Sequence, residues 1–177
     1  MRRIVYYVAT SLDGYISGPA GDISGFAHEG PGVDQYMKDL QSFDTVIMGK
    51  NTYEFGYAFG LKPGSLAYPH MEHHIFSNSL EFEEKDDNLY IHKLDINVIH
   101  EVKKKEGTDI YLCGGGVFAG WLLDNQLIDL VKIKLNPFVS GDGISMFGSS
   151  ATKVDLSLQE SQSYDGGLQI MTYKVDY

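Results

Sequence analysis

Three consecutive glycines follow a short apolar segment in the second half of the chain. Residues 109–113 have the composition of a buried strand, and residues 117–123 have the apolar spacing of a helix. Glycine lets the backbone approach a ligand closely, and the first turn of a helix offers unpaired N–H groups that suit a pyrophosphate. A tight strand-to-helix turn is the simpler interpretation. The residues that would contact the ligand are Gly114, Gly115, Gly116 and Val117.

A second segment, residues 48–52, has the same form. Gly49 ends a short apolar run, and Lys50, Asn51 and Thr52 follow it at the start of a predicted helical turn. Lys50 supplies positive charge, and the Thr52 hydroxyl can cap the helix or donate to a phosphate. Alone, such a segment is more typical of an ordinary capped helix start. Its recurrence favours two anion-binding corners that serve one long ligand bearing phosphates.

Polar side chains at three further positions are candidate ligand contacts. Ser77 ends the predicted third strand, where a plain turn is the favoured interpretation. Asp13 follows the first strand and either faces the crevice at the carboxyl ends of the strands or forms an Asx turn. Asp34 stands where the first helix begins, so it is either the N-cap of that helix or a buried acid facing the same crevice.

Three histidines and one cysteine are the remaining candidates for chemistry. His70, His73 and His74 would share a face on a helix, but they lead directly into a strand and no acid pair lies nearby. A metal-dependent hydrolase built on them stays a minor alternative, and no metal site is expected. Cys113 is the single cysteine, so no intrachain disulfide forms and a reducing compartment, the cytoplasm, is expected.

Alternating strands and helices must position these residues. The segment 3–9 is apolar on both faces, which predicts a central, buried strand. Further strands are predicted at 45–48, 74–77, 89–91, 109–113 and 129–135, helices at 34–43, 96–105 and 117–123, and a closing hairpin at 156–163 and 168–175. The pattern predicts one α/β domain over residues 1–177, with a mostly parallel central sheet, flanking helices and an antiparallel C-terminal edge.

The charge balance excludes several classes of partner. The 24 acidic and 14 basic residues give a formal net charge of −10. Nucleic acid and anionic membrane surfaces repel such a chain, so neither is an expected partner, and no segment is long and apolar enough for a membrane span. A small-molecule substrate is expected instead.

Four motifs, in order, resemble the dihydrofolate reductase-like superfamily. The similarity is greatest to the branch that contains the C-terminal reductase domain of bifunctional riboflavin-biosynthesis proteins. The motifs span most of the chain at residues 9–16, 46–54, 110–116 and 137–143. The absence of a preceding deaminase sequence leads us to expect a stand-alone reductase domain. In this branch homodimers are usual, so a homodimer is expected.

The resemblance implies that NADPH lies across the sheet. Ala9 and the loop 13–21 would cover the nicotinamide, and Ser77 would lie near the adenosine 2′-phosphate. Asp34 is within one residue of the position of an acid in folate-reducing members, and a cis peptide is common within the glycine pair. The residues that would hold the cofactor are Ala9, Gly49, Lys50, Asn51, Thr52, Ser77, Gly114, Gly115, Gly116 and Val117.

The sequence also departs from the family pattern. Lys50 replaces the usual arginine, which gives one point charge in place of a planar fork, and a tryptophan common near Phe26 is missing. The leading hypothesis is an NADPH-dependent reductase that transfers hydride to a C=N or C=O carbon of a pterin-like or ribosylaminopyrimidine-like substrate. Asp34, and after it Asp13, are the candidate proton donors. The alternative is a non-catalytic nucleotide-binding protein of the same fold.

Overall fold

A computed structural model describes all residues from 1 to 177. Its strands are β1 (Ile4–Thr10), β2 (Tyr15–Ser17), β3 (Thr45–Gly49), β4 (Glu72–Phe76), β5 (Leu89–His92), β6 (Ile110–Gly114), β7 (Leu130–Leu135), β8 (Ile144–Ser145), β9 (Asp155–Ser163) and β10 (Gln169–Asp176). The helices are α1 (Pro31–Leu40), α2 (Lys50–Phe55), α3 (Ile96–Lys104) and α4 (Gly116–Asp124), and short 3₁₀ turns span Pro19–Gly21, Gly56–Phe59 and Asp165–Gly167.

Eight strands form one sheet in the order β5-β4-β3-β6-β1-β7-β10-β9. The six strands from β5 to β7 are parallel, whereas β10 runs antiparallel to both β7 and β9. The predicted parallel sheet with an antiparallel C-terminal edge is therefore confirmed. Parallel strands need crossover connections, which here bring their carboxyl ends to one edge of the sheet.

The central strand β1 is buried on both faces, as its continuous apolar composition predicts. Ile4 and Tyr6 join a core with α3 and α4, whereas Val5 and Tyr7 join a core on the opposite face with α1 and the segment 57–71. Successive residues of a strand point to opposite faces, so β1 contributes to both cores. Alternate residues of β1 therefore enter different cores. The core that contains Val5 and Tyr7 is the one next to the site described below.

Two short strands, β2 and β8, were not predicted from the sequence. β2 lies within the region predicted as a long loop, and it pairs antiparallel with β8, more than a hundred residues away in the chain. Segments of two or three residues are too short to show a periodicity. None of the helices combines the length and the apolar composition that crossing a membrane requires.

Candidate functional site

The two glycine corners lie side by side. β3 and β6 are neighbouring parallel strands, with Met48 paired to Gly114 near their carboxyl ends. A Cβ atom built on Gly115 would lie 2.9 Å from the Thr52 Oγ1, so the start of α2 directly adjoins the corner before α4. The two corners thus adjoin each other, as a single ligand that spans both would require.

Glycine is favoured at the three positions of the second corner for different structural reasons. Gly114 has a φ of +121°, which disfavours any residue with a side chain. A Cβ on Gly116 would lie only 2.1 Å from the backbone oxygen of Ser145, so this position is closed by packing. Gly115 meets only the Thr52 hydroxyl, and its peptide bond to Gly114 is cis. Backbone conformation thus accounts for Gly114 and close packing for Gly116, whereas at Gly115 the one close neighbour of an added Cβ is the Thr52 hydroxyl.

No side chain caps either helix at this edge. The N-cap residues are Gly49 for α2 and Gly115 for α4, and no side chain accepts a hydrogen bond from the first-turn N–H groups of either helix. The unpaired N–H groups of both first turns are therefore available to an anion. Lys50 adds a cation whose Nζ lies 3.3 Å from the Ser79 Oγ and 3.7 Å from the Glu54 carboxylate.

The remaining cofactor candidates lie around the same edge, in different environments. Ala9 is half-buried near the end of β1, whereas Asn51 and Val117 are exposed in the first turns of their helices. The Ser77 Oγ accepts hydrogen bonds from the backbone N–H groups of Ser79 and Leu80, which is the plain turn favoured from the sequence. Its O–H proton still permits it to donate to a ligand.

Asp13 holds two loops together. Its carboxylate accepts hydrogen bonds from the Ser11 hydroxyl at 2.6 Å and from the backbone N–H groups of Ser140 at 3.0 Å and Gly141 at 2.8 Å. The hydroxyl of Ser11, together with the N–H of Ser140, lowers the pKa of Asp13 to about 2. A carboxyl group that stays ionised at neutral pH has no proton to donate, so this geometry argues against Asp13 as a proton donor, and its role stays a prediction.

Asp34 has neither of the two placements that the sequence left open. The N-cap of α1 is Gly30, four residues before Asp34, and the Asp34 side chain is exposed. Both expectations, of an N-cap and of a buried acid, are therefore wrong. The physical reason is the helical phase, since Tyr36 and Leu40 face the sheet and turn Asp34 outward. Its carboxylate makes no hydrogen bond in the structure, and its role toward a substrate stays a prediction.

The histidines serve the fold. His73 is fully buried, its Nε2 accepts from the N–H groups of Ala67 and Tyr68, and its Nδ1 contacts the Met71 oxygen at 3.0 Å. His74 points to the other face of β4 and contacts Glu72 and His92 instead. Because neighbouring residues of a strand diverge, the histidines do not converge. The three histidines on which the hydrolase alternative rested therefore do not form a group that could hold a metal ion.

Phenol groups form the floor beside the second core. The Tyr36 and Tyr111 hydroxyls are 2.8 Å apart, and the Tyr68 hydroxyl lies 3.5 Å from the Cys113 Sγ. Burial raises the pKa of the Cys113 thiol and of Tyr36, so both groups stay protonated at neutral pH. Cys113 directly precedes the glycine corner, so this floor adjoins the crevice.

Two lysines of β7 are functional candidates that the sequence analysis missed. Lys132 and Lys134 lie on the same face as Tyr7, with their Nζ atoms 4.8 Å from the ring centre of Tyr7 and 5.1 Å from that of Tyr36, respectively. Lys132 is paired with Asp39 at 2.7 Å. The Lys-Ile-Lys alternation was the available signal, because lysines two apart in a strand share a face. A parallel strand whose alternate positions are basic is unusual in a sheet covered on both faces.

A sequence model of one protein family, the RibD C-terminal domain, matches residues 2–170. Among curated proteins, YwjB of Bacillus subtilis, which carries the description uncharacterised, is 27% identical over 172 residues, covering 96% of each chain. The family-model match extends over both glycine corners and over β7.

Solved structures share the fold. A protein from Shewanella sp. PV-4, whose name assigns it provisionally to riboflavin biosynthesis, superposes with a TM-score of 0.81 at 23% identity over all of both chains. Dihydrofolate reductase from Enterococcus faecalis, solved in complex with NADP(H) and RAB-propyl, superposes with a TM-score of 0.68 at 14% identity, over 99% of this chain and 97% of that one. The expected dihydrofolate reductase-like fold is confirmed.

Proposed function

This chain belongs to the RibD C-terminal domain family, and on that premise we propose that it is an NADPH-dependent reductase. When bound, NADPH supplies the hydride that reduces a C=N or C=O carbon of a small substrate, pterin-like or ribosylaminopyrimidine-like. The reductase-type fold of its neighbours supports this, and one of them is a reductase in complex with NADP(H). The cofactor does the redox chemistry, so the protein has to bind and orient the reactants.

The observation that carries the proposal is the pair of adjoining corners. Gly49 and Gly115 begin two helices without side-chain caps, on neighbouring strands whose carboxyl ends coincide. A side chain at Gly115 would occupy the space next to Thr52. Unpaired backbone N–H groups at two adjoining helix starts suit a diphosphate, so the residues present fit a dinucleotide.

The charged groups at this edge favour the phosphorylated dinucleotide. Lys50 is the cation beside the first corner, and its contact with Ser79 turns it toward the end of β4. Ser77 keeps a free O–H donor at the same place. We assign the 2′-phosphate to Lys50 and Ser77, the diphosphate to Asn51, Thr52 and the second corner including Gly114, Gly116 and Val117, and the nicotinamide to the vicinity of Ala9.

The substrate would occupy the side of the sheet that Tyr36 covers. There the protein provides buried phenols and a protonated thiol, which exclude water without adding negative charge. Asp34, exposed on the first helix, is our candidate for contact with the part of the substrate nearest solvent. Holding substrate and cofactor in one orientation accounts for a large part of catalysis in such enzymes.

A titration with NADPH tests the proposal. We expect the fluorescence of the reduced nicotinamide to rise on binding in the micromolar range, and NADH to bind more weakly. Lys153→Met serves as the control for loss of one positive charge and should bind NADPH like the wild type. Lys153 is exposed in the segment before β9, away from this edge. The absence of binding at high micromolar protein would remove the reductase proposal.

A specific observation favours a second candidate, a non-catalytic nucleotide-binding protein of the same fold. Of the two acids considered as proton donors, Asp13 is held ionised and Asp34 points outward. Cofactor binding without oxidation of NADPH across pterins, ribosylaminopyrimidines and small carbonyl compounds would favour this candidate. Oxidation with any of them would exclude it.

We also propose a homodimer, in the cytoplasm. The edge strand β9 is exposed along all nine residues, including Leu156 and Leu158. A long exposed edge strand is a template for pairing, and a second copy of the strand would cover it. Light scattering should give twice the chain mass for the wild type and a shift toward one chain mass for Leu158→Lys. A monomeric wild-type protein at micromolar concentration would contradict the dimer.

A further inference from the structure

Lys134 is a buried cation without an acidic partner. The residue is 6% exposed, and the only hydrogen bond of its Nζ is a long one, 3.4 Å, to the backbone oxygen of Ala27. Lys132, two residues earlier on the same face, is by contrast paired with Asp39 at 2.7 Å. The two lysines therefore share a strand and a face but not an electrostatic environment.

Lys134 also lies where a substrate would meet the nicotinamide. In the register of β1 and β7, Lys134 is directly opposite Ala9. Its Nζ is 5.1 Å from the ring centre of Tyr36, on the side of the sheet that the proposed substrate occupies. Ala27 and Asn136, which flank this lysine, line a pocket of about 280 Å³ between the N-terminus of α1 and the turn before β10. Lys134 itself does not line this pocket, so a ligand there would have to reach the ammonium group past Ala27 or Asn136.

Burial of the ammonium group is costly unless something compensates it. Desolvation lowers the pKa of Lys134, and no carboxylate raises it. The chain has 24 acidic residues, and one of them, Asp39, pairs with Lys132, whereas none pairs with Lys134. A buried charge left unpaired in the fold is the expected arrangement where the ligand brings the counter-charge.

We propose that Lys134 binds an anionic oxygen of the substrate, carried on or next to the carbon that is reduced. The inference rests on the proposed reductase function and specifies its substrate class: compounds with a carboxylate conjugated to the reducible C=N or C=O bond. The interaction is a charge-assisted hydrogen bond in a site of low dielectric, where such bonds are strongest.

Matched acids and amides test this assignment on the NADP⁺-loaded protein. Pterin-6-carboxylate is compared with pterin-6-carboxamide, and a 2-oxo acid with its amide, by isothermal titration calorimetry. The wild type should bind at least one acid about tenfold more tightly than its amide, or better, as expected for one charge-assisted hydrogen bond. Lys134→Met and Lys134→Gln should lose the preference, whereas Lys134→Arg should retain most of it and Lys153→Met all of it.

Two variants protect the test from a folding failure. Lys134→Gln keeps a hydrogen-bond donor for the Ala27 oxygen. If Lys134 only held this loop in place, the Gln variant would therefore keep the preference for the acid. A preference that persists in both neutral variants, a wild type that binds acid and amide equally, or a wild type that binds neither acid would overturn the assignment. NADPH titration reports separately: cofactor binding without acid preference removes only the role of Lys134, whereas no cofactor binding removes the proposed function as well.

Discussion

The edge with the two glycine corners, where we propose that a dinucleotide binds, and the lysine face of β7 are built on different principles. The corners at Gly49 and Gly115 offer backbone N–H groups, and their shape follows from glycine and from the pairing of two neighbouring strands. The face that carries Lys132 and Lys134 offers side chains whose properties depend on what packs against them. A site made of backbone is fixed once the strands pair, whereas a site made of buried charge changes with each partner. The two regions should therefore respond differently to single substitutions.

The largest effect should come from the glycine corner, where two adjacent alanine substitutions separate folding from binding. Gly116→Ala should lower the free energy of unfolding by about 1–3 kcal/mol or more, because the new Cβ meets a backbone oxygen that cannot rotate away. Gly115→Ala should cost much less, since the Thr52 hydroxyl can move, yet it should weaken NADPH binding about tenfold, the equivalent of one lost hydrogen bond. Urea unfolding and NADPH fluorescence measure the two effects. Equal stability of both variants would break the comparison.

The next effect concerns the paired lysine. Lys132→Met leaves Asp39 without its cation, although Tyr7 and Gln35 still donate to it. Both side chains of the pair are about one-fifth exposed, so we expect a loss of about 1–3 kcal/mol in the free energy of unfolding, less than for a fully buried pair. Chemical denaturation at pH 7 measures it, with Lys153→Met as the control. If Lys132→Met lost no stability, the ion pair with Asp39 would not be what distinguishes Lys132 from Lys134.

Lys134→Met should act in the opposite direction, and its effect should depend on pH. Burial lowers the pKa of Lys134 in the folded protein, so between that value and the unfolded one the unfolded chain binds more protons. The penalty that Lys134 imposes is thus complete below its folded-state pKa and disappears as the pH rises toward the unfolded value near 10.4. The variant should be more stable than the wild type at pH 7, by a margin that narrows toward pH 10. A variant less stable than the wild type at pH 7 would contradict an unpaired cation.

A smaller effect is expected at Lys50, which stands at the backbone-built edge but is one-third exposed. Lys50→Met should weaken NADPH binding about two- to fivefold, because an exposed charge contributes little. The affinity for NADH should change less, since NADH lacks the 2′-phosphate. Lys50→Arg should restore the NADPH affinity. An equal loss for both cofactors would move Lys50 away from the 2′-phosphate.

The smallest effect should be the pH response of Asp13. Its pKa of about 2 lies below the usual 3.8, so its stabilising contribution is complete above the unfolded value and is lost as the pH falls toward 2. Thermal midpoints of the wild type and Asp13→Asn should therefore differ at pH 6 and converge near pH 2. A constant difference over this range would argue against a carboxylate clamp.

The sequence predicted what depends on short-range pattern. The unbroken apolar run of β1 placed that strand in the centre, and the two strand-glycine-helix segments predicted adjoining corners, which the pairing of Met48 with Gly114 confirms. These features need only the local chain and the rule that carboxyl ends of parallel strands meet at one edge.

Features that depend on packing partners were missed or misjudged. Asp34 was expected in a cap or in the core, but the phase of α1 is set by Tyr36 and Leu40 and turns it to solvent. Lys134 was not predicted, because only its position opposite Ala9 and under Ala27 distinguishes it from a surface lysine. Burial of a charge is a property of the neighbours and leaves no mark on the residue itself.

The segment 138–148 links the two loops that would enclose a nicotinamide. The N–H groups of residues 140 and 141 donate to the Asp13 carboxylate, and β8 in this segment pairs with β2. The backbone oxygen of Ser145 packs closely against Gly116. These contacts join the two loops, so we expect both to move together when the proposed cofactor enters or leaves. Amide hydrogen exchange at residues 11–17 and 114–117 should then slow together when the cofactor binds.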